Sequence, residues 1–241
     1  MRLFVFTTHK TGSMFLHRFF GKVSEVSGIK KYSKNDMNFD LARPLDFTEI
    51  ELAAAGIYAP LRYEVKSIPT SVSDCYIFHL RDPRDMLTSL YYSHSYSHVT
   101  RDGAFNPTFE ERASWVENGI DKFIVDYLED GLLQNRYKWM LEEARIKKHC
   151  SIVSRYELMV RDYSVWGERI IGFLNQNAFS LNIKDFEIFE SEFKAPASED
   201  ITKHKRKMIP GDFRNKLKTS TIELINDQFR SVIDAMSYSY S

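Results

Sequence analysis

Only two cysteines occur among 241 residues, Cys75 and Cys150, and each adjoins a predicted strand. That excludes a disulfide framework and any zinc site built on cysteine pairs. Two thiols in a reducing compartment remain. Net charge is missing too: 33 Lys plus Arg balance 33 Asp plus Glu. A zero balance argues against general nucleic-acid binding but leaves room for a local basic pocket. No apolar run approaches the length of a membrane span. The first strand starts close to Met1, with no charged region, apolar core and cleavage site ahead of it. A soluble, cytoplasmic protein with no membrane span is therefore predicted. Internal repeats and low-complexity tracts are also absent.

The chain does have apolar material, 43% of its residues, which is enough for a substantial core. Its length suits one α/β domain over residues 1–241 better than two small ones. Leu3 to Phe6 is an apolar, partly β-branched run of the kind that forms a buried strand. Thr7 to Ser13 is polar and contains one glycine. From Met14 the period changes, with Met14, Phe15, Phe19 and Val23 at helical spacing and Gly28 as a stop. Strand, tight loop and helix start present backbone N–H groups and a positive dipole end to one point, which suits a phosphate. Lys10, Thr11 and Ser13 stand in that loop.

Further strands are predicted at Cys75–Leu80 and Cys150–Ser154, with a weaker one at Tyr63–Ser67. Helices are predicted over Phe47–Ala55, from Pro83, over Phe109–Lys148 with breaks near Gly119 and Gly131, over Tyr163–Asn175, Phe186–Phe193 and Thr219–Met236. Residues 29–48 and 93–107 read as long loops. Residues 194–218, rich in Lys and Arg and poor in apolar side chains, read as a mobile loop that covers a ligand. Alternating strands and helices imply a mainly parallel central sheet flanked by helices, a three-layer α/β/α arrangement of P-loop-like type. Ligands of such sheets bind beyond the carboxyl ends of the strands, where Lys10, Arg81 and Tyr156 fall.

The first loop is not a Walker A sequence, because Lys10 precedes Gly12 instead of following a second glycine. That weakens a nucleoside triphosphatase assignment and the magnesium it would need. Arg81 ends a strand, and Ser89 lies two turns into the next helix. A guanidinium and a hydroxyl so placed can close on one phosphate. Asp82, Arg84 and Asp85 read as helix capping and surface ion pairs, each contributing ~0–1 kcal/mol. A third element, Lys205 to Phe213, joins a basic run to Gly211-Asp212-Phe213.

Together the three stretches resemble the sulfotransferases that use 3′-phosphoadenosine 5′-phosphosulfate (PAPS). Their first loop commonly reads P-K-S-G-T-T-W; here His9-Lys10-Thr11-Gly12-Ser13-Met14-Phe15 occupies that frame. Their strand-ending Arg, a Ser eight residues on and a following Tyr pair are matched by Arg81, Ser89 and Tyr91-Tyr92. Their R-K-G-x-x-G-D-W is matched by Arg206 to Phe213. The resemblance implies that Lys10, Thr11, Gly12, Ser13 and Met14 hold the 5′-phosphosulfate, with Lys10 stabilising the bridging oxygen. It implies that Arg81, Ser89, Arg206, Lys207 and Met208 hold the 3′-phosphate, and that Phe15 and Tyr156 contact the base. It implies a sulfuryl acceptor that is a small molecule or carbohydrate with a hydroxyl or amine, the product nucleotide 3′-phosphoadenosine 5′-phosphate (PAP), and no metal.

The chain also departs from that family. Members acting on small hydroxyl compounds carry K-T-H-L-P, whose histidine takes the acceptor's proton. Here Val65-Lys66-Ser67-Ile68-Pro69 keeps Lys66 and lacks the histidine. His94 is preferred as the base over His98, Glu64 and His17. Met208 replaces the family's glycine. Two other functions stay open at this level: a P-loop kinase or phosphotransferase, and a nucleotide-binding protein without catalysis.

Overall fold

The computed structural model describes residues 1–32, 54–62, 73–97, 107–193, 200–202 and 208–240. The expected helix at 47–55 (but for its last two residues), the strand at 63–67 and, of the 194–218 loop, residues 194–199 and 203–207 lie outside them. Contacts group the chain into two units. One comprises Met1–Leu80 and Trp139–Lys194, the other Arg81–Lys138 and Ala195–Ser241.

The first unit holds a five-stranded parallel sheet of order β2-β3-β1-β4-β5. Its strands are β1 Arg2–Thr7, β2 Lys31–Tyr32, β3 Gly56–Leu61, β4 Asp74–Leu80 and β5 Ser151–Arg155. Strand alternation divides β1 between two layers. Leu3 and Val5 join the core formed with helix α1 (Ser13–Ser27) and a later helix, Tyr163–Gln176. Phe4 and Phe6 face the other way. They stack on Tyr58, Tyr76 and Phe78, and Phe6 meets Trp139 edge-on at 5.0 Å. Burying each such side chain contributes about 1.5–3 kcal/mol. At the amino end of the sheet Arg2 closes bidentately on Asp74, at 2.8 and 2.5 Å, which ties β1 to β4. Helices on both faces of a parallel sheet bear out the α/β expectation.

Two strands were not expected. β2 falls in a stretch predicted as loop. β3 contains Pro60, which cannot donate to a ladder. It is accommodated because the β1–β3 register shifts there: Phe4 pairs with Tyr58, whereas Phe6 pairs with Leu61.

The second unit is helical. Pro83–Tyr92 (α2) runs into a π-helical turn, Ser93–Ser97, inside the stretch predicted as loop. Phe109–Leu128 (α3) starts with a capping box between Thr108 and Glu111 and is kinked at Gly119 (φ 78°). Leu132–Ile146 (α4), whose residues from Trp139 on belong to the first unit, begins after Gly131, so both expected breaks occur. The helix predicted over Thr219–Met236 is two helices, Thr219–Gln228 and Arg230–Ala235, parted at Phe229. Among the described residues no helix is long and apolar enough to cross a membrane.

Candidate active site

The loop after β1 is built around two left-handed residues, Lys10 (φ 59°) and Gly12 (φ 78°). Gly12 is required twice over. A Cβ there would sit 2.9 Å from Met159 Cε and 3.5 Å from the Tyr156 ring, in a conformation that L residues avoid. The short helix α5 (Tyr156–Arg161) is thus pressed onto the loop, and Tyr156 lies beside the residues expected to hold a phosphosulfate. Met159 had no sequence signal beyond helical apolar spacing.

Thr11 does not present its hydroxyl outward. It is fully buried, and its hydroxyl donates to the Thr8 carbonyl at 2.5 Å while accepting from Thr7. That chain of bonds closes the loop on its buried side and occupies the Thr11 hydroxyl. No side chain caps α1, and its first turn holds no acidic residue. The leading N–H groups of a helix have no intrahelical acceptor, so Ser13, Met14 and Phe15 offer donors at a positive dipole end. Met14 is exposed, while Phe15 is only 7% exposed and enclosed by Phe19, Tyr163, Trp166, Phe189 and Phe193.

A buried polar rung lies beneath this loop. In register across β1, β4 and β5 stand Thr7, His79 and Ser154. His79 Nδ1 is 2.8 Å from Ser154 Oγ, which accepts from Trp166 Nε1 at 2.8 Å. Burial pushes the His79 imidazole down to about 3, opposed only by the Thr11 backbone. The imidazole is therefore neutral.

In the second unit Arg81 directly follows β4 in the chain, and its carbonyl accepts from Tyr137 Oη at 2.8 Å. Ser89 follows two turns into α2. The intervening charges are not the surface pairs expected. Asp82 caps α2 through the Arg84 N–H and also takes the Arg84 guanidinium on both carboxylate oxygens, at 2.9 and 2.7 Å. Arg84 is fully buried and reaches Asn226 Oδ1 and the Ser239 carbonyl. Asp85 accepts from the N–H groups of Gly211 (2.5 Å) and Phe213 (3.1 Å), so it pins the C-terminal motif to α2. Burial raises the Asp85 carboxyl, against the pull of Arg81 and those two amides. Phe213 lies between the Arg84 and Arg214 guanidiniums, at 4.3 and 4.5 Å. Met208 is left-handed (φ 58°), a conformation that glycine, which the family pattern has at this position, adopts at no strain. Arg206 and Lys207 lie outside the described residues.

Of the base candidates, Lys66, Glu64 and His98 also lie outside the described residues. His17 faces Lys31 Nζ at 3.1 Å. His94 is half-buried on the π-helical turn, 5.7 Å from the Trp115 ring and 6.0 Å from Phe123.

A family model described as "Sulfotransferase domain" matches residues 1–237. The chain belongs to the sulfotransferase family. Its class of chemistry is therefore sulfuryl transfer. Among solved structures it is similar to mouse sulfotransferase SULT7A1 complexed with PAP (TM-score 0.62, 15% identity, 99% of this chain and 89% of that one). It is also similar to retinol dehydratase in a complex with retinol and PAP (TM-score 0.56, 12% identity, 100% and 83%) and to the same named enzyme with androsterone and PAP (TM-score 0.53, 13% identity, 96% and 80%). At these identities the likeness shows a shared fold. No curated protein matches the chain.

Proposed function

We propose that this sulfotransferase takes its sulfuryl group from PAPS and passes it to a hydroxyl or amine of a small-molecule or carbohydrate acceptor. The carrying observation is the first loop: an uncapped helix start, a left-handed Gly12 and Lys10, with the Thr11 hydroxyl turned away. Such a cradle offers amides and one cation to a tetrahedral anion. In the reaction an acceptor oxygen or nitrogen bonds to sulfur, the bond from sulfur to the bridging oxygen breaks, and PAP leaves. Lys10 neutralises the charge that develops on that oxygen. Arg81, Ser89, Arg206, Lys207 and Met208 hold the 3′-phosphate, with Asp85 fixing the segment that carries the last three. Phe15 and Tyr156, each under a tenth exposed, contact the base over a small area only.

His94 serves as the base that receives the acceptor's proton, with Lys66 as a second cation at the transferred group. The structures complexed with PAP support the choice of donor. Transfer of labelled sulfate from PAPS to a panel of carbohydrate, phenolic and lipid alcohols tests the activity. Calorimetry with PAP against ATP tests the site, and binding of ATP with none of PAP would sink the proposal.

A further inference from the structure

His79 is fully buried, yet its Nε2 makes no hydrogen bond of good geometry; the Thr11 backbone is the one group close enough to act on the ring. The other nitrogen explains which atom bears the proton. Trp166 Nε1 can only donate, so it occupies a lone pair on Ser154 Oγ. Among the described residues the hydroxyl has no acceptor other than His79 Nδ1, 2.8 Å away, so its proton is directed there. A neutral imidazole that accepts at Nδ1 carries its proton on Nε2. This donor belongs to the rung under the first loop, beside Thr7, whose hydroxyl bonds Thr11. The backbone group of Thr11 that faces the ring favours the protonated imidazole, which identifies it as the carbonyl. Buried donors without partners are rare in folded proteins and call for an explanation.

We propose that His79 is a positioning residue for the phosphosulfate loop. Its Nε2–H draws the Thr11 carbonyl downward as the anion binds. A trans peptide carries its C=O and the next N–H on opposite sides. A Thr11 carbonyl held against His79 therefore turns the Gly12 N–H up into the cradle. Ligand binding and satisfaction of the buried donor become one event. The proposal rests on the PAPS reading of this loop and adds a residue that never touches the nucleotide.

Two measurements test it. In the ¹⁵N-histidine-labelled full chain, the His79 ring shows the Nε2–H tautomer, and saturating PAP moves that proton downfield as its hydrogen bond forms. The Nδ1–H tautomer, or an Nε2–H signal unmoved by bound PAP, overturns it. The second compares His79→Gln, whose amide nitrogen can replace Nε2–H, with His79→Asn, whose shorter amide cannot. His79→Asn is expected to bind PAP roughly tenfold more weakly and to raise KM for PAPS with KM for the acceptor unchanged, while His79→Gln stays within about threefold of wild type. Equal PAP affinity in His79→Asn and wild type overturns the inference, even if both variants are less stable. If wild type itself binds no PAP, the donor assignment fails first and takes the loop inference with it. The spectrum of the unmodified chain needs no variant to fold.

Discussion

The neutral, buried His79 makes stability depend on pH in a calculable way. Its ordinary value of 6.5 falls to about 3 in the fold, with burial as the cause. No charged side chain contributes to that shift. Above pH 6.5 the ring is neutral in both folded and unfolded chains, and the contribution is complete. Below 6.5 the unfolded chain binds a proton that the folded chain refuses. Stability is then lost progressively as pH falls toward about 3. Each unit between the two values is about 1.4 kcal/mol, so lowering pH from 7.5 to 5.0 removes about 2 kcal/mol through this one group. The group is fully buried, so solvent screening does not reduce the figure.

Urea denaturation of wild type and His79→Gln at pH 7.5 and 5.0 isolates that amount, because the other histidines are common to both proteins. Wild type should lose about 2 kcal/mol more than the variant over this interval. Identical losses would refute the assignment. A His79 ring titrating near 6.5 in an NMR titration would refute it independently.

Three further outcomes are expected. Lys10→Ala should keep part of the PAP affinity and lose transfer, as read by calorimetry beside a labelled-sulfate assay. Gly12→Ala adds a Cβ 2.9 Å from Met159 Cε at φ 78°; it should destabilise by about 1–3 kcal/mol in thermal melts, and Met159→Ala should relieve only the contact part. Asp85→Ala strands the Gly211 and Phe213 N–H groups; at about 1–3 kcal/mol each, it should lower the urea midpoint and weaken PAP binding, with Asp85→Asn intermediate.

What the sequence revealed of this molecule followed the range of the interactions involved. β1, the first loop and α1 were legible because the apolar period changes within seven residues and Gly28 ends the helix with φ 70°. β3 was hidden because Pro60 reads as a breaker, and only the register shift in β1 makes room for it. Asp82, Arg84 and Asp85 form a short charged run, which by itself resembles a solvated helix start. Their burial depends on Asn226, Ser239, Gly211 and Phe213, more than 120 residues away in the chain. The second motif therefore carries two kinds of residue in five positions. Arg81 is proposed to hold a ligand, whereas Asp82, Arg84 and Asp85 fasten α2 to C-terminal segments that include the third motif. His79 is the extreme case. Period-two alternation places it on the face opposite Phe78 and says no more. Its tautomer is set by a hydroxyl 75 residues on, and that hydroxyl is set in turn by an indole 12 residues further. Spacing locates the groups expected to touch an anion, because a strand–loop–helix turn is local. The groups that aim those donors lie underneath, on neighbouring strands, and only the sheet order brings them into register.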